Sequence, residues 1–259
     1  MAFRATLVGN GVDQTNGTGI WIQRNGVLAL VARTGDQAPG LTVGVKFGGL
    51  AFDSSNDYFE PEINAAGKIA FRAILAGDGI SDENDMSIWS ESSGVVTMFI
   101  REGDQAPGLP DGVVFSSFDP PVLNASGQMV FRGFITGDEI NSSNDIGIWA
   151  QDLTGELRLI ARAGDLLEVS PGEFVQIGHP AFANQSSEQS GASGFNDRGQ
   201  LAVYAGGIGF ISNRVAVPEP RTEIHTAIAL VLVGCVMRSR PTRALGVRGG
   251  ARFGGAPGR

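Results

Sequence analysis

The sequence has few of the residues on which common protein chemistry depends. It has one cysteine, Cys235, among its 259 residues, and a single thiol excludes a disulfide-stapled scaffold. Its two histidines, His179 and His225, lack any partner motif, which argues against a Ser-His-Asp triad and against a histidine-based metal site. Lysine occurs only at Lys46 and Lys68, so arginine supplies almost all of the positive charge.

Charge is unevenly distributed along the chain. The formal net charge is -8, yet residues 238–259 contain six arginines and no acidic residue. The body is therefore more acidic than the whole chain, and an acidic surface repels a phosphate backbone. The sequence predicts no nucleic-acid partner.

Glycine is abundant, with 38 residues, and four short elements recur in the same order through residues 1–215. They comprise a hydrophobic stretch containing Phe-Arg or a related pair, an Ile-Trp pair, a Gly-Asp pair, and an Asn-x-x-Gly element directly before the hydrophobic stretch. The copies divide this region into units of about 1–68, 69–128 and 129–200 and a remnant of 201–215. Such periodicity is typical of repeat architectures. The Ile-Trp pairs are Ile20-Trp21, Ile88-Trp89 and Ile148-Trp149, and the Gly-Asp pairs are Gly35-Asp36, Gly103-Asp104 and Gly164-Asp165.

The hydrophobic stretches predict β-strands, because they are β-branched or aromatic runs bounded by Gly, Asn, Asp and Ser. No window of the body has a 3.6-residue apolar period. The Asn-x-x-Gly elements predict tight hairpin turns, in which Gly accepts positive φ and Asn caps its own backbone. We expect four strands per unit, the content of a propeller blade, and thus an all-β, β-propeller-like fold of tandem repeats. The turn residues are Asn64, Gly67, Asn124, Gly127, Asn196 and Gly199.

The pattern Asn-x-x-Gly-x-x-Ala-Phe is present at Asn64–Phe71, at Asn124–Phe131 with Val in place of Ala, and in degenerate form at Asn196–Val203. It resembles that of a bacterial family of tandem-repeat surface proteins. The resemblance covers roughly residues 1–212. It implies secretion and propeller-like repeats but carries no enzymatic activity that could be transferred.

The C-terminal region resembles a PEP-CTERM sorting signal. Residues 216–223 form a Pro-Glu-Pro linker, 224–237 a hydrophobic segment that we expect to be a short helix, and 238–259 a basic Gly/Arg-rich tail. The resemblance implies recognition by an exosortase-type enzyme and transient insertion in the inner membrane, with the basic flank on the cytoplasmic side. The segment is shorter than the roughly 20 residues of a full span, so a buried helix followed by a tail is the alternative. The signal residues are Val217, Pro218, Glu219, Pro220, Arg238 and Arg240.

Met1 lies inside a repeat and no secretory leader precedes it, whereas an exported protein is expected to have one. The hypothesis that follows is that the sequence is an N-terminally truncated piece of a longer protein, with too few units to close a propeller. The rival hypothesis is a four-bladed ring whose last blade is completed by residues 201–217.

The loop before each Trp is rich in carboxylate and amide oxygens, which are the ligands that Ca²⁺ prefers. These loops lack the full EF-hand pattern, and Asx turns in a long hairpin loop are the favoured interpretation. The Arg and Asp residues around each Gly-Asp pair are expected to form ion pairs, such as Arg33 with Asp36 and Arg162 with Asp165. The weak calcium candidates are Asp78, Asp82, Asn84, Asp85, Asp138, Asn144 and Asp145.

Two classes of function fit these observations. The first is a non-enzymatic exported surface or matrix protein, without a cofactor, whose loops bind a polysaccharide or a protein. The second is an extracellular carbohydrate-active enzyme on a propeller, which would need a pair of carboxylates that breaks the repeat symmetry. No such pair is evident, and no catalytic residue is assigned. A truncated, non-functional fragment is a further alternative.

Overall fold

The computed structural model describes residues 1–50, 60–182 and 194–215, and every regular element in these ranges is a β-strand. The prediction of an all-β protein is thereby confirmed. Within the described part of the chain there is no helix of the length and hydrophobicity needed to cross a membrane. The strands are β1 (Ala2–Thr6), β2 (Thr18–Arg24), β3 (Val27–Arg33), β4 (Lys46–Leu50), β5 (Glu62–Ile63), β6 (Ile69–Ala76), β7 (Met86–Ser92), β8 (Val95–Arg101), β9 (Val114–Phe118), β10 (Val122–Leu123), β11 (Met129–Thr136), β12 (Ile146–Gln151), β13 (Leu157–Arg162), β14 (Leu166–Ser170), β15 (Glu173–Gln176), β16 (Pro180–Phe182), β17 (Leu201–Ala205) and β18 (Ile208–Ser212).

These strands form four antiparallel sheets in chain order and one separate hairpin, β14–β15. Sheet 1 is β1–β2–β3 and sheet 4 is β16–β17–β18. Sheets 2 and 3 have a fuller form, in which two short strands share one edge. In sheet 2, β4 and β5 both pair with β6, which is followed by β7 and β8. In sheet 3, β9 and β10 both pair with β11, which is followed by β12 and β13. None of the sheets closes on itself among the described residues. The helix expected at 224–237 lies outside them.

The first three sheets share one strand register. The Phe of the Phe-Arg stretch lies directly opposite the Trp of the Ile-Trp pair in each sheet, and the pairing of the Trp strand with the next strand shifts by one residue between Ile and Trp. Such a β-bulge bends its strand and increases the local twist. The opposed pairs are Phe3 and Trp21, Phe71 and Trp89, and Phe131 and Trp149.

The hydrophobic cores lie between consecutive sheets. Because side chains alternate across a strand, β6 turns Ile69 and Phe71 toward sheet 1 and Ala70 toward sheet 3. Sheets 3 and 4 enclose a third core that contains Val130 and Leu201. Each inner sheet is therefore covered on both faces, and the sheets follow one another as a stack.

A Trp ring anchors each of the two fuller sheets with the same geometry. The Phe47 and Trp89 ring centroids lie 4.9 Å apart at 73°, and those of Phe115 and Trp149 lie 4.8 Å apart at 73°. Each indole folds back over the residue two positions earlier. A Cβ on Gly147 would lie 2.6 Å from the Trp149 ring, which explains why a residue without a side chain is found there.

Candidate functional site

The Asn-x-x-Gly elements form five-residue hairpin turns at one end of the sheets. In the first turn the Asn64 carbonyl accepts a hydrogen bond from Gly67 N at 2.9 Å, and its side-chain Oδ1 accepts one from Lys68 N at 2.9 Å. Gly67 adopts φ +78°, a conformation that side chains rarely allow. The turns beginning at Asn124 and Asn196 repeat both hydrogen bonds.

The same asparagines also connect neighbouring units. The side-chain amide of Asn64 donates to the Asn124 carbonyl at 2.9 Å, and the amide of Asn124 donates to the Asn196 carbonyl at 3.0 Å. Lys68 Nζ donates to the Gly127 carbonyl at 2.7 Å along the same line. An amide side chain both accepts and donates hydrogen bonds, which explains why Asn and not Asp stands at Asn64 and Asn124, where the amide links two units.

The loops before the Trp strands and the loops that carry the Gly-Asp pairs lie together at the opposite end of the sheets, since β6 and β11 run from the Asn turns to these loops. We call this surface the loop end. It comprises residues 7–17, 77–85 and 137–145, which precede the Trp strands, and residues 34–45, 102–113 and 163–165. Most side chains in these segments are exposed or half-buried.

The calcium candidates lie in two of the loops before the Trp strands. Asn84 Oδ1 accepts a hydrogen bond from Ser81 N at 3.0 Å, and its amide donates to the Gly79 carbonyl at 3.2 Å. Asn144 repeats this arrangement with Asn141 N and the Glu139 carbonyl. Asp78, Asp82 and Asp138 have exposed side chains, and Asp85 and Asp145 are half-buried. Among the described residues no three His, Cys, Asp or Glu side chains converge as a group that could hold a metal ion.

The Gly-Asp loops are held by a side chain that sequence reasoning did not single out. Gln105 Nε2 donates to the carbonyls of Ala106, Leu109 and Pro110, and its Oε1 accepts from Gly112 N at 2.9 Å. Gln37 makes the corresponding hydrogen bonds in the first copy. The sequence signal that could have identified these glutamines is the Gly-Asp-Gln-Ala-Pro-Gly sequence, which is identical in the two loops.

The expected Arg-Asp ion pairs are present in only one of the three copies. Arg162 contacts Asp165 at 2.9 Å. Arg33 Nε donates instead to the Asn16 carbonyl at 2.7 Å, and Arg101 Nε donates to the Asn84 carbonyl. These arginines fasten the Gly-Asp loop to the loop before the Trp strand, because a guanidinium can satisfy a loop carbonyl as readily as a carboxylate.

One pair of carboxyl groups breaks the symmetry of the repeats. Glu102 is buried and interacts with Asp85, and one of its carboxyl oxygens accepts a hydrogen bond from Met86 N at 3.0 Å. Burial, reinforced by the neighbouring carboxylate, raises the pKa of Glu102 to about 7. Ala163 stands at the equivalent position of sheet 3, where Asp145 Oδ1 is buried and has no hydrogen-bond partner among the described residues.

A cleft of about 370 Å³ separates two successive units at the loop end. One wall comes from the Gly-Asp loop that follows sheet 2, with Leu109 and Pro110, and the other from the loop of sheet 3 that contains Asp138 and Glu139. Arg162 also lines the cleft. Apolar walls with a few acceptors and a guanidinium are a common composition for ligand-binding clefts.

The sorting-signal residues Val217, Pro218, Glu219, Pro220, Arg238 and Arg240 all lie outside the described residues. The turn residues, by contrast, are all described, and the structure brings Asn64, Asn124 and Asn196 into one line at the end opposite the cleft.

The described residues therefore define an all-β protein built from successive antiparallel sheets with a recurrent Phe-Trp register. The family model of DUF7453, a family of unknown function, matches residues 1–224, and the chain belongs to that family. Comparison with curated proteins and with solved structures gives no match.

Proposed function

We propose that this protein is a non-enzymatic, exported surface or matrix protein that presents its loop end to a polysaccharide or protein partner. The sheets would act as blades of a propeller-like scaffold, and the C-terminal region would direct the protein outward through an exosortase-type enzyme and a transient stay in the inner membrane. The observation that carries the proposal is the cleft between the loops of sheets 2 and 3.

The chemistry of the cleft favours a neutral or hydroxyl-rich ligand. Asp138 and Glu139 supply acceptors for hydroxyl groups, Arg162 supplies donors, and Leu109 and Pro110 offer apolar surface against which a sugar ring can pack. Loops held on a rigid scaffold are frequent binding sites, and the side chains of Gln105 and Asn144 each hold one of the two cleft loops in place.

Paired carboxyl groups would be the basis of the rival proposal, a carbohydrate-active enzyme. Asp85 and Glu102 form such a pair, but Glu102 is only 6% exposed, so a polysaccharide would not reach it. This burial supports binding over cleavage as the function of the loop end.

Glycan-array screening of the full chain, followed by titration calorimetry with the retained glycan, tests the proposal. We expect Asp138→Ala to weaken binding, because its exposed carboxylate lines the cleft. Glu173→Ala on β15 is the matched control and is expected to leave binding unchanged. Equal affinities for both variants, or release of reducing sugar from the ligand, would refute the proposed binding role.

The sorting proposal has a separate test. Glu219→Ala in the full chain, expressed in a bacterium that carries an exosortase-type enzyme, is expected to leave the protein in the inner membrane. Wild-type protein that is itself retained there would contradict the proposed export route.

A further inference from the structure

In the part of the chain that the structure describes, no sheet packs on the face of sheet 1 that corresponds to a buried face in sheets 2 and 3. Phe3 lies opposite Trp21 in β1–β2, and both side chains are half-buried. Their counterparts in sheets 2 and 3 have the same register and are at most 2% exposed, because the preceding sheet and an edge strand of their own sheet, β4 or β9, cover them. The same pair of aromatic residues thus lies in a core twice and at the surface once.

Two leucines of β3 extend this open face. Leu30 lies opposite Trp21 and is 44% exposed, and Leu28 is 55% exposed. A Cβ on Gly19 would lie 3.0 Å from Trp21 Nε1 and 3.3 Å from Leu30 Cδ1, which places both side chains on one face of the sheet. We call the surface formed by Phe3, Trp21, Leu28 and Leu30 the head face.

The indole of Trp21 adds an independent observation. Its Nε1 is buried, and no hydrogen-bond partner for it occurs among the described residues. Trp89 Nε1 donates to Ser87 Oγ at 2.8 Å, and Trp149 Nε1 donates to the Pro107 carbonyl at 3.0 Å. Pro107 belongs to the loop that follows sheet 2, so in that copy the neighbouring unit supplies the acceptor. A buried donor without a partner costs stability until an acceptor arrives.

Sheet 4 exposes its other face, which lies on the side away from sheet 3. Leu201 and Val203 are buried against sheet 3, whereas Tyr204 on the other side of β17 is 61% exposed. Ile211, opposite Ala202, is 48% exposed. We call the surface formed by Ala202, Tyr204 and Ile211 the tail face. The corresponding face of sheet 2, with Ala70 and Ile88, is fully buried under the aromatic face of sheet 3.

We propose that the head face of one copy of the chain packs against the tail face of a second copy, and that two copies close head to tail into one ring. The model for this contact is the packing of successive sheets inside each copy. There the face that carries the Phe-Trp pair packs against the face of the preceding sheet that corresponds to the tail face. Two copies carry eight main sheets, and closed propellers hold roughly four to eight blades. Head-to-tail contacts are heterologous and generate rings when the rotation closes. This inference rests on the propeller-like arrangement of the proposed function but not on export or on ligand binding.

Native mass spectrometry of the full chain in mild detergent tests the contact. We expect a dimer for the wild type. Leu30→Glu and Ile211→Glu place a carboxylate on the head face and the tail face respectively, and each variant is expected to be monomeric. Val95→Glu, a charge placed at a 61% exposed position of β8 away from both faces, is the matched control and is expected to remain dimeric.

Mixing the two monomeric variants gives the decisive measurement. One intact head face and one intact tail face remain, so an equimolar mixture is expected to form a heterodimer, which also shows that both variants are folded. A monomeric wild type would overturn the proposal. Dimers that survive both substitutions, or that fail only with Leu30→Glu, would overturn it too, since the first result points to another surface and the second to a head-to-head contact.

Discussion

Sheet 1 and sheet 3 contain the same Phe-Trp pair in the same register, but only sheet 3 buries it. Phe131 and Trp149 are completely buried, whereas Phe3 and Trp21 are half-buried. The Phe strand pairs with the Trp strand in the same register in both sheets, but sheet 3 also has the edge strand β9. Phe115 and Phe118 of β9 pack on the Phe131 and Trp149 rings, so the difference in burial comes from this strand together with the preceding sheet. The comparison teaches that the recurrent aromatic residues stabilise contacts between units.

The largest expected effect on stability comes from replacing the Trp of the Phe-Trp pair in each of these two sheets. Trp149→Ala deletes a fully buried side chain that packs on Phe115 and is expected to lower the free energy of unfolding by about 3–5 kcal/mol. Trp21→Ala removes a half-buried ring and is expected to cost about 1–2 kcal/mol. Urea unfolding followed by far-ultraviolet circular dichroism measures both. Equal losses of unfolding free energy for Trp149→Ala and Trp21→Ala would contradict the inferred difference between sheets 3 and 1.

The asparagine turns give a second pair of positions, of intermediate effect. Asn124 is buried, and its amide donates to the Asn196 carbonyl and to Gln128 Oε1. Asn124→Asp keeps the acceptor but loses both donors and buries a charge, which we expect to cost about 2–3 kcal/mol.

Asn196→Asp is the matched control, since an aspartate keeps the hydrogen bonds that the exposed Asn196 side chain accepts from the backbone N–H groups of Arg198 and Gln200. It loses only the donation to Gln200 Oε1, and among the described residues the Asn196 amide donates to no neighbouring unit. We expect a loss below about 1 kcal/mol. The same urea titration applies. A control variant as unstable as Asn124→Asp would show that the turn itself, and not the link between units, carries the energy.

Glu102 and Ala163 are the third pair, with the smallest expected effect. Because the pKa of Glu102 is raised from 4.5 to about 7 in the folded protein, the native state holds a proton there that the unfolded state has lost. Stability from this group is therefore present below pH 4.5 and is lost as the pH rises toward 7.

Glu102→Gln removes that titration and is expected to flatten the decline between pH 5 and pH 8 by about 1–3 kcal/mol. Thermal unfolding across this pH range measures the change. Ala163 has no titratable side chain, so Ala163→Gly provides a variant at the matching site that should keep the wild-type pH dependence. A wild type whose stability does not fall over this range would contradict the assigned burial of Glu102.

Much of the fold was accessible from sequence because its signals are local. The run of β-branched, aromatic and other apolar residues around Phe71 predicts a strand, and the Gly at position 67 of an Asn-x-x-Gly element predicts a turn with positive φ. Other features depend on distant partners and gave no local signal. The acceptor for Arg101 is the Asn84 carbonyl, 17 residues away, and sequence spacing alone suggested a nearby aspartate.

The residues of the candidate cleft also divide into those that the sequence indicated and those whose role depends on distant partners. Asp138 was visible in the sequence as one of several oxygen-bearing loop residues, but its position opposite Leu109 and Pro110 of the preceding unit depends on how sheets 2 and 3 stack. Gln105 looked like an ordinary polar loop residue, yet its amide makes hydrogen bonds to three carbonyls. Such roles are defined by three-dimensional contacts, which periodicity does not encode.

The sequence by itself determined that the chain is an all-β protein, because strand composition and turn chemistry are properties of neighbouring residues. Only the tertiary structure decided which copy of each recurrent residue is buried, which forms a hydrogen bond to the next unit, and which is exposed. Trp149 and Trp21 stand in the same local pattern, but β9 and the preceding sheet cover Trp149, whereas among the described residues no such strand and sheet cover Trp21. Burial is a property of the surroundings, so identical local sequences acquire different roles.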